Sequence, residues 1–467
     1  MPEKAFAPSS KNAFPYGGNN RLKQSLVELR KTMPISPSIE RNFGFETRQV
    51  HAGHIPDAET GARAVPIYQS SSFVFESAEH AARLFGLKDY GDVYTRISNP
   101  TTAVLEERLA SLENATGSVV VSSGMSAQFL TFLTLLEPGD EIVASAHLYG
   151  GSATQLVHTL KKLSVKATFV SPNDIAAWEA AITPRTRLLY GETIGNPSGS
   201  ILDLEPIGKL AKKYGIPFVV DNTLATPWLC RPAEFGANII LYSATKFLNG
   251  HGNAILGAVV DAGNFDFKRT PGIAAPDPAY HNLRFYDTFG HYGFLMKLRM
   301  VSLRDIGASA SPMNSFLALQ GLETLSLRME KHVANAQKIA DFLEKHPRVA
   351  SVAYAGLPSN PHYHLAQKYL PRGAGGVLAF ELNDAQEYLR ERGVKFIEAL
   401  QIFSHLANIG DVRSLVIHPA STTHQQLTAE ELEAAGVPPG LIRISAGIEN
   451  IEDLLWDLDR ALHVAFA

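Results

Sequence analysis

Between about residues 116 and 260, short apolar runs alternate with stretches of helical spacing. The runs fall at 118–121, 141–144, 167–170, 188–190, 217–220, 239–242 and 256–260. Most are apolar throughout rather than alternating, as in strands covered on both faces. Helical patterns lie between several of them; one spans 205–214 and stops at Gly215. Strand–helix–strand repetition predicts an α/β fold with a mostly parallel central sheet and helices on both faces. Ligands of such sheets bind at the carboxyl ends of the strands.

After about residue 300 the pattern changes. A long helical stretch over 314–346, broken near Gly321, precedes strand patterns at 349–354, 376–382 and 441–445. Helices at 385–392 and 451–466 complete a smaller C-terminal α/β domain. The chain thus divides into an extension (1–44), a segment before the core alternation (45–105), a large domain (106–300) and a small domain (301–467). Residues 1–44 carry five prolines and the Gly17-Gly18-Asn19-Asn20 cluster, so they read as irregular. Within them Leu22, Leu26 and Leu29 are spaced for a short amphipathic helix. Seven Lys/Arg against three Glu make a targeting peptide the alternative reading of this segment.

Composition narrows the function classes. Of 467 residues, 45% are hydrophobic and 19% charged, enough to bury a large core. Lys plus Arg is 42 and Asp plus Glu is 46, for a net charge of −4. No basic surface for nucleic acid or anionic membrane is expected from that balance. No apolar run approaches the ~18–20 residues of a membrane span, and the first residues open no signal-peptide stretch. A cytoplasmic protein is the expectation. Cys230 is the only cysteine, which excludes an intrachain disulfide and a multi-thiolate metal site. The sixteen histidines show no ligand spacing, and His362-Tyr363-His364 reads as a solvated loop, so no metal is expected. Gly250-His251-Gly252 precedes a strand instead of following one, which argues against a dinucleotide fingerprint.

Chemistry concentrates at strand ends. The run 239–242 leads into Ser243-Ala244-Thr245-Lys246 and a glycine-rich turn. Ser243 and Thr245 lie on one side of an extended backbone and can both donate to a phosphate. A desolvated lysine there has a lowered pKa and a nucleophilic amine. The run 118–121 passes through Ser122-Ser123 into a helix beginning near Gly124-Met125, whose free N–H groups form an anion site. Asp221 ends the run 217–220, with Thr223 two residues on. A buried aspartate needs a cationic or hydrogen-bonding partner, and a protonated pyridine nitrogen would serve. Tyr149 can stack on an aromatic ring. Arg443, inside an apolar strand, must be ion-paired or must clamp a carboxylate. Taken singly, these are also a loop lysine, an ordinary turn, a capping aspartate, a core tyrosine and a structural ion pair. Together they supply the parts of a site for pyridoxal 5'-phosphate and an amino-acid substrate.

On these motifs the chain resembles the Cys/Met-metabolism family of fold-type I pyridoxal-phosphate enzymes over about residues 46–467. The segment around Lys246 resembles the family's cofactor-lysine motif without interruption. Tyr94-Thr95-Arg96-Ile97-Ser98-Asn99-Pro100-Thr101 resembles the family segment that reaches into the neighbouring subunit. The resemblance implies that residues 45–105 form an arm, and that Tyr94 and Arg96 bind the neighbour's cofactor phosphate. It therefore implies a homo-oligomer, a dimer with shared sites paired into a tetramer. Gly151 stands where methionine γ-lyases usually carry cysteine. The run Ala407-Asn408-Ile409-Gly410-Asp411-Val412-Arg413-Ser414-Leu415, with the segment that continues it to His424, is similar to the O-acetylhomoserine sulfhydrylase branch. That branch implies γ-replacement on O-acetylhomoserine by sulfide or a thiol, giving homocysteine or methionine and acetate. Implied roles are cofactor lysine and proton shuttle for Lys246 and an assisting phenol for Tyr149. Substrate contacts are implied at Arg443, Ser414 and Leu415, and a contact near the ring at Asn196. The alternatives are γ-elimination, cystathionine γ-synthesis and a catalytically silent relative. The extension before residue 45 departs from the family pattern.

Overall fold

The computed structural model describes residues 43–422 and 438–467. The amphipathic pattern at 22–29 and the end of the 407–424 run, Thr423 and His424, lie outside the described residues.

Seven strands form the large sheet. They are β1 (Gly117–Val121), β2 (Glu141–Ser145), β3 (Lys166–Val170), β4 (Thr186–Glu192), β5 (Phe218–Asp221), β6 (Ile239–Tyr242) and β7 (Gly257–Asp261), in the order β1-β7-β6-β5-β4-β2-β3. The pairs β2–β3, β2–β4, β4–β5 and β5–β6 are parallel, whereas β7 is antiparallel to both β6 and β1. The exception has a local cause: the link from β6 to β7 contains no crossover helix, so the chain simply turns back.

Both sheet faces are buried, as the apolar runs require. Val120, Val143, Leu189, Val220 and Ile240 belong to one hydrophobic cluster. Their sequence neighbours Val119, Ile142, Leu188, Val219 and Leu241 belong to the other. This is period-two alternation between two apolar faces. Each fully buried Val or Leu contributes about 1.5–3 kcal/mol relative to exposure.

The second sheet has the order β10-β11-β12-β9-β8: β8 (Val349–Ala353), β9 (Val377–Leu382), β10 (Ser404–His405), β11 (Leu415–Ile417) and β12 (Leu441–Ser445). Helices Gln386–Ala399 and Ile451–Ala465 pack with it, and helix Leu325–Glu344 joins the core shared with the large sheet.

Ahead of the large sheet, helix Pro100–Glu113 is started by Asn99, whose Oδ1 accepts from the Thr101 N–H at 3.0 Å, with Pro100 in the first turn. Glu106 on this helix accepts from the Val120 N–H at 2.9 Å and pairs with Arg299 at 2.6 Å. Arg299 also donates to the Ile97 carbonyl at 2.9 Å, pinning the end of the preceding segment to the body. Between about 53 and 98 the chain is mostly exposed and carries one helix, Ala78–Phe85. No helix among the described residues is long and apolar enough to cross a membrane.

Candidate active site

The carboxyl ends of β4, β5 and β6 and the turn after β1 converge on a cavity of about 360 Å³. After β1 the chain turns through Ser122 and Ser123 into helix Gly124–Leu135. Ser123 Oγ accepts from the Ser126 N–H at 3.1 Å. A Cβ on Gly124 would come within 2.6 Å of Ser243 Cβ, so only glycine lets this turn approach the end of β6. The helix start beside Ser243 leaves free N–H groups for an anion.

Asp221 ends β5. Its Oδ1 accepts from the Thr223 N–H at 2.9 Å, and Thr223 Oγ1 accepts from the Ser243 N–H at 2.8 Å, tying β5 to β6. Among the described residues no cation pairs with Asp221. Burial pushes its carboxyl group up.

Lys246 follows β6 in a turn closed by its N–H to the Ser243 carbonyl at 3.1 Å. Its Nζ donates to Asn408 Oδ1. Burial first, and the charge of Arg443 second, lower the Lys246 pKa. That favours the neutral, nucleophilic amine. Thr245 lines the cavity, but its hydroxyl donates to the Leu256 carbonyl at 3.1 Å and accepts from the Leu256 N–H at 3.0 Å. Here it closes the loop to β7, leaving Ser243 as the hydroxyl not spent on that loop.

Arg443 sits in mid-β12, between Ala379 of β9 and Ile417 of β11. Its guanidinium donates to Asn196 Oδ1 at 3.2 Å and to the Asn408 carbonyl at 3.3 Å, and burial lowers its pKa. Among the described residues it meets no carboxylate, so the structural ion pair is not what the strand holds. Tyr149 stands at the rim, half exposed, its N–H donating to Glu192 Oε1 at 2.6 Å.

The cavity therefore gathers Lys246, Tyr149, Gly124, Met125, Asp221, Thr223, Ser243, Thr245, Asn196 and Arg443. Four residues singled out from the sequence are not among its lining. Ser414 is fully buried, its N–H and hydroxyl donating to Glu449 at 2.6 and 2.9 Å. Leu415 is a core residue of β11. From the 407–424 run it is Ala407, Asn408, Ile409 and Ile417 that reach the cavity. Tyr94 is exposed, and Arg96 lies 5.4 Å over its ring and donates to the Arg304 carbonyl. Asn408, Glu192, Gln128 and Ser152 line the cavity and were not singled out. Glu192 carries the same signal as Asp221, an acid closing an apolar run. One group of metal-ligand type occurs among the described residues, His346, Asp459 and His463. It joins the ends of helices Leu325–Glu344 and Ile451–Ala465, and none of its members lines the cavity.

The donor set fits pyridoxal 5'-phosphate. A buried aspartate without a cation suits a pyridinium, a desolvated lysine suits an aldehyde, and a cradle that a single Cβ would fill suits a phosphate. Fold and site together define a pyridoxal-phosphate enzyme of the α/β, fold-type I class. The chain belongs to the Cys/Met metabolism PLP-dependent enzyme family, which matches residues 46–463. It is 47% identical over 440 residues to the O-acetyl-L-homoserine sulfhydrylase of Leptospira meyeri, covering 92% of this chain and 99% of the relative. It is 46% identical over 429 residues to the homocysteine synthase of Schizosaccharomyces pombe, covering 90% and 98%. Among solved structures, it superposes at a TM-score of 0.85 and 39% identity on a Campylobacter jejuni chain assigned as an O-acetylhomoserine (thiol)-lyase, covering 90% and 100%. That chain carries N'-pyridoxyl-lysine-5'-monophosphate.

Proposed function

We propose that this enzyme replaces the acetoxy group of O-acetyl-L-homoserine with sulfide, giving L-homocysteine and acetate, or with a thiol, methanethiol giving L-methionine. The juxtaposition of Lys246, Asn408 and Arg443 carries the reading, and the activities named for relatives at 46–47% identity support the substrate.

When bound, pyridoxal phosphate supplies an aldehyde for Lys246 and an electron-withdrawing ring. The chain's own groups do the rest. Arg443, with only neutral oxygens about it, takes the substrate carboxylate and thereby orients Cα. Lys246, its pKa lowered, takes the proton from Cα and, once it has released that proton, takes one from Cβ. Acetate leaves Cγ, hydrosulfide adds there, and the protons return to Cβ and Cα. Asn408, bonded to the Lys246 amine by its side chain and to Arg443 by its carbonyl, links proton carrier to carboxylate clamp. Tyr149, at the rim, stacks on the ring and assists the transfers. Asp221 holds the ring nitrogen, and Ser243 with the Gly124–Met125 turn holds the phosphate.

The same reading makes the protein a cytoplasmic homo-oligomer, a dimer paired into a tetramer. Tyr94 and Arg96 then serve the neighbouring site. Their absence from their own chain's cavity lining supports this. The test is steady-state turnover with acetyl-, succinyl- and phosphoryl-homoserine against sulfide and methanethiol, with methionine alone as a further substrate. Homocysteine from the acetyl ester and sulfide is the expected outcome. Turnover confined to methionine, with release of 2-oxobutyrate, would overturn it in favour of γ-elimination.

A further inference from the structure

Glu192 closes β4 directly opposite Asp221 of β5, and both line the cavity. A second buried carboxyl group beside the ring's aspartate is costly unless it does something there. Its contacts show what. One oxygen accepts from the Tyr149 N–H at 2.6 Å, and the carboxyl group also accepts from the Asn196 N–H. Tyr149 lies after β2 and Asn196 after β4, so a single side chain ties two loops at the cavity. Asn196 in turn accepts from Arg443 at 3.2 Å.

We propose that Glu192 is the positioning residue of this site: its carboxyl group clamps the Tyr149 loop to the Asn196 loop and so sets the stacking ring and, through Asn196, Arg443. The clamp on Tyr149 rests on the cofactor site alone; only its last link rests on the role given to Arg443 above. Burial, and next the charge of Asp221, push the Glu192 carboxyl well above the usual carboxylate range. Its role there is that of a hydrogen-bond acceptor. Glutamine is then its close stand-in, with the accepting oxygen kept.

The test compares Glu192→Gln, Glu192→Asp and Glu192→Ala in the full chain. Apoprotein is titrated with pyridoxal phosphate, and visible circular dichroism is recorded on the loaded enzyme. Glu192→Ala leaves two N–H groups without an acceptor. Cofactor affinity should fall at least tenfold, the visible dichroic band should change in intensity, and the substrate KM should rise more than kcat falls. Glu192→Gln should stay within threefold of wild type in affinity and keep the band. Wild-type affinity and dichroism in Glu192→Ala would overturn the proposal. So would Glu192→Gln being as defective as Glu192→Ala, because charge rather than hydrogen-bond geometry would then matter. A lowered apoprotein melting temperature with an unchanged dichroic band marks a purely structural role and also overturns it. If Glu192→Ala does not fold, Glu192→Asp decides: one methylene shorter, it cannot reach both N–H groups, and wild-type dichroism there would sink the clamp.

Discussion

The carboxyl edge of the large sheet and the segment from 53 to 98 are built on opposite terms. At the sheet edge every chemical group is held by its own chain. Thr223 bonds Ser243, Ser123 caps the phosphate helix, and Glu192 holds the Tyr149 N–H. Along the arm, large apolar side chains have no such home: Val74 is 98% exposed and Phe85 64%. Its fixed points are few: Val65 is buried, Asn99 and Thr101 hold Pro66 and Tyr68, and Arg299 holds the Ile97 carbonyl. A rigid edge with unpaired charges recruits ligands. An anchored segment with uncovered apolar surface recruits protein. On the proposed reading, one region specifies the chemistry and the other the assembly.

The largest effect should come from the edge. Lys246→Ala should lose at least about 10⁴-fold in kcat while still binding cofactor through the phosphate contacts. Borohydride should lock the cofactor of the wild-type protein to this one lysine, and peptide mapping that finds the adduct elsewhere would undo the assignment.

Arg443→Ala should come next. Losing a buried contact to a substrate carboxylate costs about 2–5 kcal/mol, roughly 30- to several-thousand-fold in kcat/KM. Cofactor affinity should stay near wild type. Unchanged kinetics with O-acetylhomoserine would return Arg443 to a structural role.

Beneath the edge, pH should act on stability. Glu113 is buried with Tyr242 donating to its Oε1, and burial pushes its pKa from 4.5 to about 7. A carboxyl group raised on folding stabilises below its unfolded pKa, and that contribution is lost as pH rises from about 4.5 through 7. The loss is about 3 kcal/mol. Glu113→Gln, fixed in the uncharged state, should gain in melting temperature over wild type at pH 8 relative to pH 5. An equal difference at both values would mean that Glu113 is charged in the fold.

The two regions also differed in how much their sequence disclosed. Runs such as 217–220 and 239–242 are apolar on successive residues, so their strands are plain, and the groups that follow them, Asp221 and Lys246, come with them. The small strands were not visible: Ser404–His405 is short and polar, and Leu415–Ile417 is three residues long. Ser414 and Leu415 come from a motif and do not line the cavity: Ser414 is bonded to Glu449, and Leu415 lies in β11. Glu192 was legible by the rule that selected Asp221, whereas Asn408 was not, since nothing local marks an asparagine as a lysine's partner. The arm showed itself only as a segment outside the alternation. In the proposed dimer it is covered by another chain, and such burial leaves no periodicity to read.

The comparison is tested most directly by mixing Arg96→Ala and Lys246→Ala chains, each nearly inactive alone. Equal co-refolding makes half of the dimers mixed, and in each the chain retaining Lys246 receives its partner's intact arm. One site in two is whole in those dimers, so activity should recover to roughly a quarter of wild type. No recovery, with mixed dimers demonstrated by mass spectrometry, would place Arg96 in its own chain's site and contradict the division between edge and arm.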